Sequence, residues 1–150
     1  MEKSFKIFAE RETEALAKKL TLITKVGDVW LLSGTLGAGK SVFARAFIKK
    51  LTDAGEVPSP TFTLVQMYQA KDFDIYHYDL YRLKKPEEIF ELGIEDAFYD
   101  GVCLIEWPEK MGAFIPKNAW NVEISVAGET REIKIYTADE EKTRRLENVK

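Results

Sequence analysis

The run Gly34-Thr35-Leu36-Gly37-Ala38-Gly39-Lys40-Ser41 matches the pattern GxxxxGK[ST] at every fixed position. Its chemistry is phosphate binding. Glycines let a loop turn its backbone N–H groups onto phosphate oxygens, and the N-terminus of a following helix favours an anion through its dipole. In that pattern Lys40 neutralises the β- and γ-phosphates and the Ser41 hydroxyl ligates Mg²⁺. The reading holds only if the run follows a buried strand and opens a helix.

Such a loop needs a carboxylate to hold the metal or its waters, and the usual source is the end of a neighbouring buried strand. Val102-Cys103-Leu104-Ile105 ends in Glu106, and Ile75-Tyr76-His77-Tyr78 ends in Asp79. On spacing alone each acid is as consistent with an ordinary carboxylate where a strand meets solvent. Strand alternation puts His77, Asp79 and Tyr81 on one face, within reach of one another. A His77–Asp79 contact would hold the imidazole in one tautomer for handling a proton or a water, or would be a plain structural hydrogen bond. In Val57-Pro58-Ser59-Pro60-Thr61-Phe62, Thr61 suits a switch hydroxyl that touches the γ-phosphate or Mg²⁺, although composition alone favours a proline-stiffened connection. Trp107 places a large aromatic beside Glu106, where it would stack on a partner or base or cap the core. Cys103, inside an apolar run, reads as a small core residue without chemistry.

The elements that must position these groups follow from periodicity. Phe5 to Phe8 reads as a short strand, and Glu10 to about Leu22 as an amphipathic helix with Thr13, Leu16, Ala17 and Leu20 on one face. Val29 to Ser33 is continuously apolar, as a strand covered on both faces must be. Ser41 to Leu51 carries Val42, Phe43, Ala46, Phe47 and Leu51 as one helical stripe, so strand, glycine loop and helix come in the required order. Thr61 to Gln69 and Phe73 to Arg82 predict a hairpin about Lys71-Asp72. Short helices are expected at Pro86 to Leu92 and Ile94 to Phe98, a second buried strand at Val102 to Ile105, and a closing hairpin from Trp120 to Val126 and Glu132 to Tyr136. Residues 138–150 are charged throughout and read as a solvated terminal helix or a tail.

The chain has 150 residues, room for one domain of roughly 100–200, and carries a net charge of −3. That charge argues against a broad basic face gripping DNA or RNA. One cysteine excludes an intrachain disulfide and suits a reducing compartment. No apolar run approaches the ~20 residues of a membrane span, and the first residues are charged, so the expectation is a cytoplasmic protein without membrane contact.

Taken together, GTLGAGKS, VPSPTF, HYDLYRL and LIEWPE, in this order, resemble the TsaE (YjeE) family of bacterial P-loop ATPases, which acts in biosynthesis of threonylcarbamoyladenosine in tRNA. The resemblance implies an α/β fold, a single P-loop NTPase domain over 1–150 with a mixed parallel/antiparallel sheet flanked by helices. It implies ATP and Mg²⁺ as cofactors, TsaD and TsaB as partner proteins, and tRNA met only indirectly. Carried over by position, Thr35, Leu36, Gly37, Ala38, Gly39, Lys40, Ser41, Val42, Thr61 and Trp107 would surround the nucleotide. Lys40, Asp79 and Glu106 would be the catalytic groups, with Ser41, Glu106 and Asp79 at the metal. Family members often have an acid where Thr35 stands and Thr where Ser41 stands; the hydroxyl is kept. Arg82, Arg144 and Arg145 are the candidates for an arginine finger, unless a partner supplies that charge. The alternatives are a small-molecule kinase and a nucleotide-dependent assembly switch, while the lack of an NKxD motif disfavours a GTPase.

Overall fold

The computed structural model describes residues 1–60 and 62–149. Seven strands form one sheet in the order β1-β7-β6-β2-β5-β4-β3. They are β1 (Glu2–Ile7), β2 (Val29–Gly34), β3 (Val65–Gln69), β4 (Asp74–Asp79), β5 (Gly101–Glu106), β6 (Trp120–Ala127) and β7 (Thr130–Tyr136). The central strands β6, β2, β5 and β4 run parallel. Antiparallel pairs close both sides, β1 and β6 on β7 and β3 on β4. The sheet is therefore mixed, as expected.

The two continuously apolar runs are nearest neighbours at the middle of this sheet, with Val29 paired to Cys103 and Leu32 to Glu106. Their alternating side chains feed two separate cores. Trp30, Leu32, Val102 and Leu104 join Phe43, Phe47 and Leu20 beneath the helices α1 (Glu10–Thr21) and α2 (Lys40–Leu51). Leu31, Cys103 and Ile105 pack on the other face with Ile89, Ile94 and Met111. There the cover is a 3-10 segment at Pro86–Leu92, helix α3 (Ile94–Asp100) and a second 3-10 segment at Pro108–Phe114. Trp30 and Trp120 stack at 4.7 Å between centroids with planes 6° apart, which ties β2 to β6 under the helices.

Local chemistry explains the boundaries. Glu12 Oε2 accepts from the Phe8 and Ala9 amides at 2.9 and 3.1 Å and so starts α1, with Lys18 and Lys19 at its C-terminal end where the dipole favours cations. The β3–β4 hairpin is shorter than its sequence suggests. Asp79 Oδ1 takes the Tyr81 amide at 3.1 Å, so the chain turns after Asp79 and the alternation argument does not reach Tyr81. The charged C-terminal stretch forms α4 (Glu140–Glu147), and it is anchored as well as solvated, with Leu146 fully buried. Arg145 donates to both oxygens of buried Asp28 at 2.7 and 3.1 Å, and Trp120 Nε1 adds a bond at 3.2 Å. Among the described residues no helix is long and apolar enough to cross a membrane.

Candidate active site

The parallel strands β2, β5 and β4 all end at one edge of the sheet, and the glycine loop leaves from that edge. In open α/β sheets this carboxyl edge is where ligands bind. The loop needs its glycines for two different reasons. A Cβ on Gly34 would stand 2.5 Å from the Ile124 carbonyl oxygen, and Gly37 and Gly39 adopt φ of +79° and +119°, a region that L side chains avoid. Gly39 then caps α2, whose first residue is Lys40.

Lys40 folds back over the loop and donates to the Gly34 carbonyl. Its ammonium lies 3.5 Å from the centre of the Trp107 ring, a desolvated cation–π contact. The side chain is buried, and that burial pushes its amine below the ordinary lysine range against the opposing pull of Glu106, Glu109 and Asp79. Trp107 holds its ring there with φ of 62°, a left-handed conformation uncommon for a bulky residue. Tyr81 packs on the same indole at 5.0 Å.

Across from the loop, the β4–β5 register sets Asp79 beside Glu106. Both carboxylates are buried. Ser41 Oγ donates to Glu106 Oε1 at 3.3 Å, and the other oxygen, Oε2, lies 2.7 Å from His77 Nε2. The expected His77–Asp79 contact is thus replaced by a His77–Glu106 contact. Residues two apart on a strand lie more than 6 Å from each other along the chain, Asp79 is turned to the Tyr81 amide, and the longer Glu106 reaches back from the adjacent strand.

Leu36, Gly37, Gly39, Lys40, Ser41, Val42, Asp79, Glu106 and Trp107 line one cleft of about 390 Å³, with Ser59 and Tyr81 completing its wall. Thr35 and Ala38 are outside it. The Thr35 carbonyl accepts the Ala38 amide at 3.1 Å and closes the loop's turn, and Ala38 faces a second cleft. Thr61 lies outside the described residues. The arginines named from sequence do not line the cleft: Arg82 sits over the Phe62 ring at 4.5 Å, and Arg145 is held by Asp28, which precedes β2 at the end opposite the loop, about 20 Å away at strand rise. Arg144 is on α4 beside it. Cys103 is buried with its thiol pushed well above the usual range by desolvation, which leaves it inert.

The second cleft, of about 280 Å³, opens on the other side of Gly37, Gly39 and Val42. Phe8, Ala9 and Thr13 come to it from the start of α1, Glu129 and Arg131 from the β6–β7 hairpin. Arg131 Nε donates to the Ala38 carbonyl at 3.1 Å and ties the hairpin to the loop. Sequence reasoning missed these residues, because they meet only through the β1-β7-β6-β2 strand order.

Strand, glycine loop and helix at the carboxyl edge of a parallel sheet, faced by two carboxylates, define an α/β domain of the phosphate-loop architecture. The family described as "Threonylcarbamoyl adenosine biosynthesis protein TsaE" matches residues 7–133, and the chain belongs to it. It is 53% identical over 102 residues to the tRNA threonylcarbamoyladenosine biosynthesis protein TsaE of Rickettsia conorii, a match covering 67% of this chain and 58% of that one. The TsaE protein of Rickettsia felis is 45% identical over 125 residues, 83% of this chain and 73% of the relative. In structure the chain resembles the crystal structure of Bacillus subtilis YdiB, with a TM-score of 0.80 and 29% identity over 98% of this chain and 93% of that one.

Proposed function

We propose that this chain is a Mg²⁺-dependent ATPase that serves the formation of threonylcarbamoyladenosine in tRNA, slow alone and coupled to TsaB and TsaD proteins, its residues 1–150 acting as one domain. Family membership supports the pathway, and one observation carries the chemistry. Lys40, Ser41, Asp79 and Glu106, drawn from α2, β4 and β5, converge on a single cleft at the glycine loop.

The donor set fits Mg²⁺. Ser41 Oγ and Glu106 Oε1 are hard oxygen donors 3.3 Å apart at a helix N-terminus, and Mg²⁺ characteristically takes one or two protein oxygens and completes its shell with water and phosphate. When bound, it neutralises charge on the β- and γ-phosphate oxygens. The loop amides hold the phosphates. Lys40 leaves the Gly34 carbonyl and the Trp107 ring to meet them, and Trp107 stays in the first cleft beside the phosphate end of the nucleotide. Glu106, already bonded to Ser41, belongs to the metal side, and Asp79 beside it orients the attacking water. Catalysis by these groups is positioning and charge stabilisation. Because both clefts share Gly37, Gly39 and Val42, phosphates in the loop direct the base into the second cleft, against Phe8, Thr13 and Arg131. Arg82, Arg144 and Arg145 do not line the cleft, in keeping with slow turnover until a partner adds charge. The net charge of −3 agrees with tRNA being presented by the partners.

The test is phosphate release from Mg-ATP by the purified chain, titrated with a TsaB–TsaD complex, with Lys40→Ala as control. Turnover that rises with the complex and vanishes in the variant is expected. Turnover indifferent to the complex would remove the coupling, and none at all under any condition would remove the ATPase.

A further inference from the structure

We propose that His77 is a positioning residue for the reaction above: its imidazole fixes the Glu106 carboxylate so that one oxygen is committed to the protein interior and the other to Ser41 and the cleft. The inference rests on the ATPase reading but concerns a residue that reading leaves without a role.

His77 is the chain's single histidine and is fully buried on β4. It does not line the cleft, so it acts only through Glu106. The two oxygens of Glu106 have different partners, Oε2 the imidazole Nε2 at 2.7 Å and Oε1 the Ser41 hydroxyl at 3.3 Å. On the far side of the ring, Nδ1 has no hydrogen-bond partner among the described residues. This asymmetry selects the tautomer. A proton on Nδ1 would be a buried donor with nothing to accept it, and a bare Nε2 would aim its lone pair at a carboxylate. The proton therefore sits on Nε2, and the ring is a one-way donor to Glu106. A buried polar atom without a partner is costly and rare, and a purely apolar side chain at this place in the core would avoid that cost. What only a donor can supply here is a fixed rotamer for Glu106. Without it the carboxylate is free to rotate away from Ser41, and the geometry presented to the metal-nucleotide is lost. Groups that hold a metal-binding side chain from behind are worth roughly 10–100-fold in affinity or activity.

The experiment uses the full chain and three readouts. One histidine gives one set of imidazole ¹⁵N signals, which in the nucleotide-free wild type are expected to report a proton on Nε2, the nitrogen facing Glu106. Affinity for Mn²⁺ in the presence of ADP, followed by electron paramagnetic resonance, and steady-state ATP hydrolysis are then compared for wild type, His77→Phe and His77→Gln. His77→Phe is expected to lose about 10–100-fold in Mn²⁺ affinity or kcat while KM for ATP stays within a few-fold. His77→Gln, whose amide can donate to the same oxygen, is expected to recover most of that loss. A ring with no proton on Nε2, a His77→Phe protein equal to wild type, or a His77→Gln protein as impaired as His77→Phe would each overturn the proposal, the last by showing that packing alone matters. Should His77→Phe not fold, the tautomer and the His77→Gln comparison decide. A wild type that binds no Mn-ADP would overturn the ATPase reading itself, and this proposal with it.

Discussion

Lys40 carries a charge where water scarcely reaches it, held by one carbonyl and one indole face. On the proposed function, the group that meets the phosphates is stored in an environment that disfavours its charge, so the site trades stability for readiness. Lys40→Met is accordingly expected to weaken ATP binding about 10–100-fold, the worth of a charged hydrogen bond, while raising stability by about 1 kcal/mol. Isothermal titration and thermal melts check the two halves. The pH dependence has a defined sign. Burial lowers the folded-state pKa of Lys40 below the ordinary value of 10.5, so between those two values the unfolded chain binds more protons and stability rises with pH. Subtracting the Lys40→Met melting profile from that of wild type should therefore leave an alkaline rise. ATP affinity should move oppositely, falling with pH sooner than an ordinary lysine would dictate.

At the scale of elements, the loop between β2 and α2 and the segment that follows α2 tolerate change unequally. Gly34 combines a φ of +148° with a would-be Cβ contact of 2.5 Å to the Ile124 carbonyl on β6, whereas a Cβ on Gly55 meets nothing within 4 Å. Gly34→Ala should cost roughly 2–4 kcal/mol, from strain and overpacking together, and Gly55→Ala should be neutral or slightly stabilising. Urea titrations of both variants measure the contrast. The same loop shows why part of the molecule is legible in its sequence. An apolar run, three glycines and a helical stripe are local signals, and they mark β2, the loop and α2. The β6–β7 hairpin is equally readable, because its two strands alternate about Gly128. The 3-10 segment at Pro108–Phe114 is not, since its backbone breaks at Gly112 and offers no period to read. Nor is the His77–Glu106 bond, which depends on the parallel register of β4 against β5, nor the second cleft, which depends on β1 lying at the far edge beside β7. Alternation along one strand says which residues share a face; it does not say which strand lies next door.

Across the whole molecule, the site and the C-terminal helix occupy opposite ends of β2. Asp28, just before that strand, is buried and collects Arg145, the Trp120 indole and the Lys25 amide, with Lys142 at 3.9 Å. Arg145 also bonds Glu141 on its own helix and the Ile23 carbonyl at the end of α1, so one side chain joins α4, α1 and the β2 entry. Removing it leaves a buried carboxylate short of its main partner, which costs more than the pair itself contributes. Arg145→Ala is expected to lose about 3 kcal/mol of stability, whereas Arg144→Ala, on the same helix but outside this cluster, should be near neutral. Below the melting transition, neither should change affinity for Mg-ATP, because the cluster is separated from the loop by the length of the strand and shares no residue with the lining of the cleft. Denaturant unfolding paired with nucleotide titration of each variant tests the division. If Arg145→Ala weakens nucleotide binding in fully folded protein, the C-terminal helix is coupled through β2 to the phosphate loop, and the two ends of the sheet act as one unit.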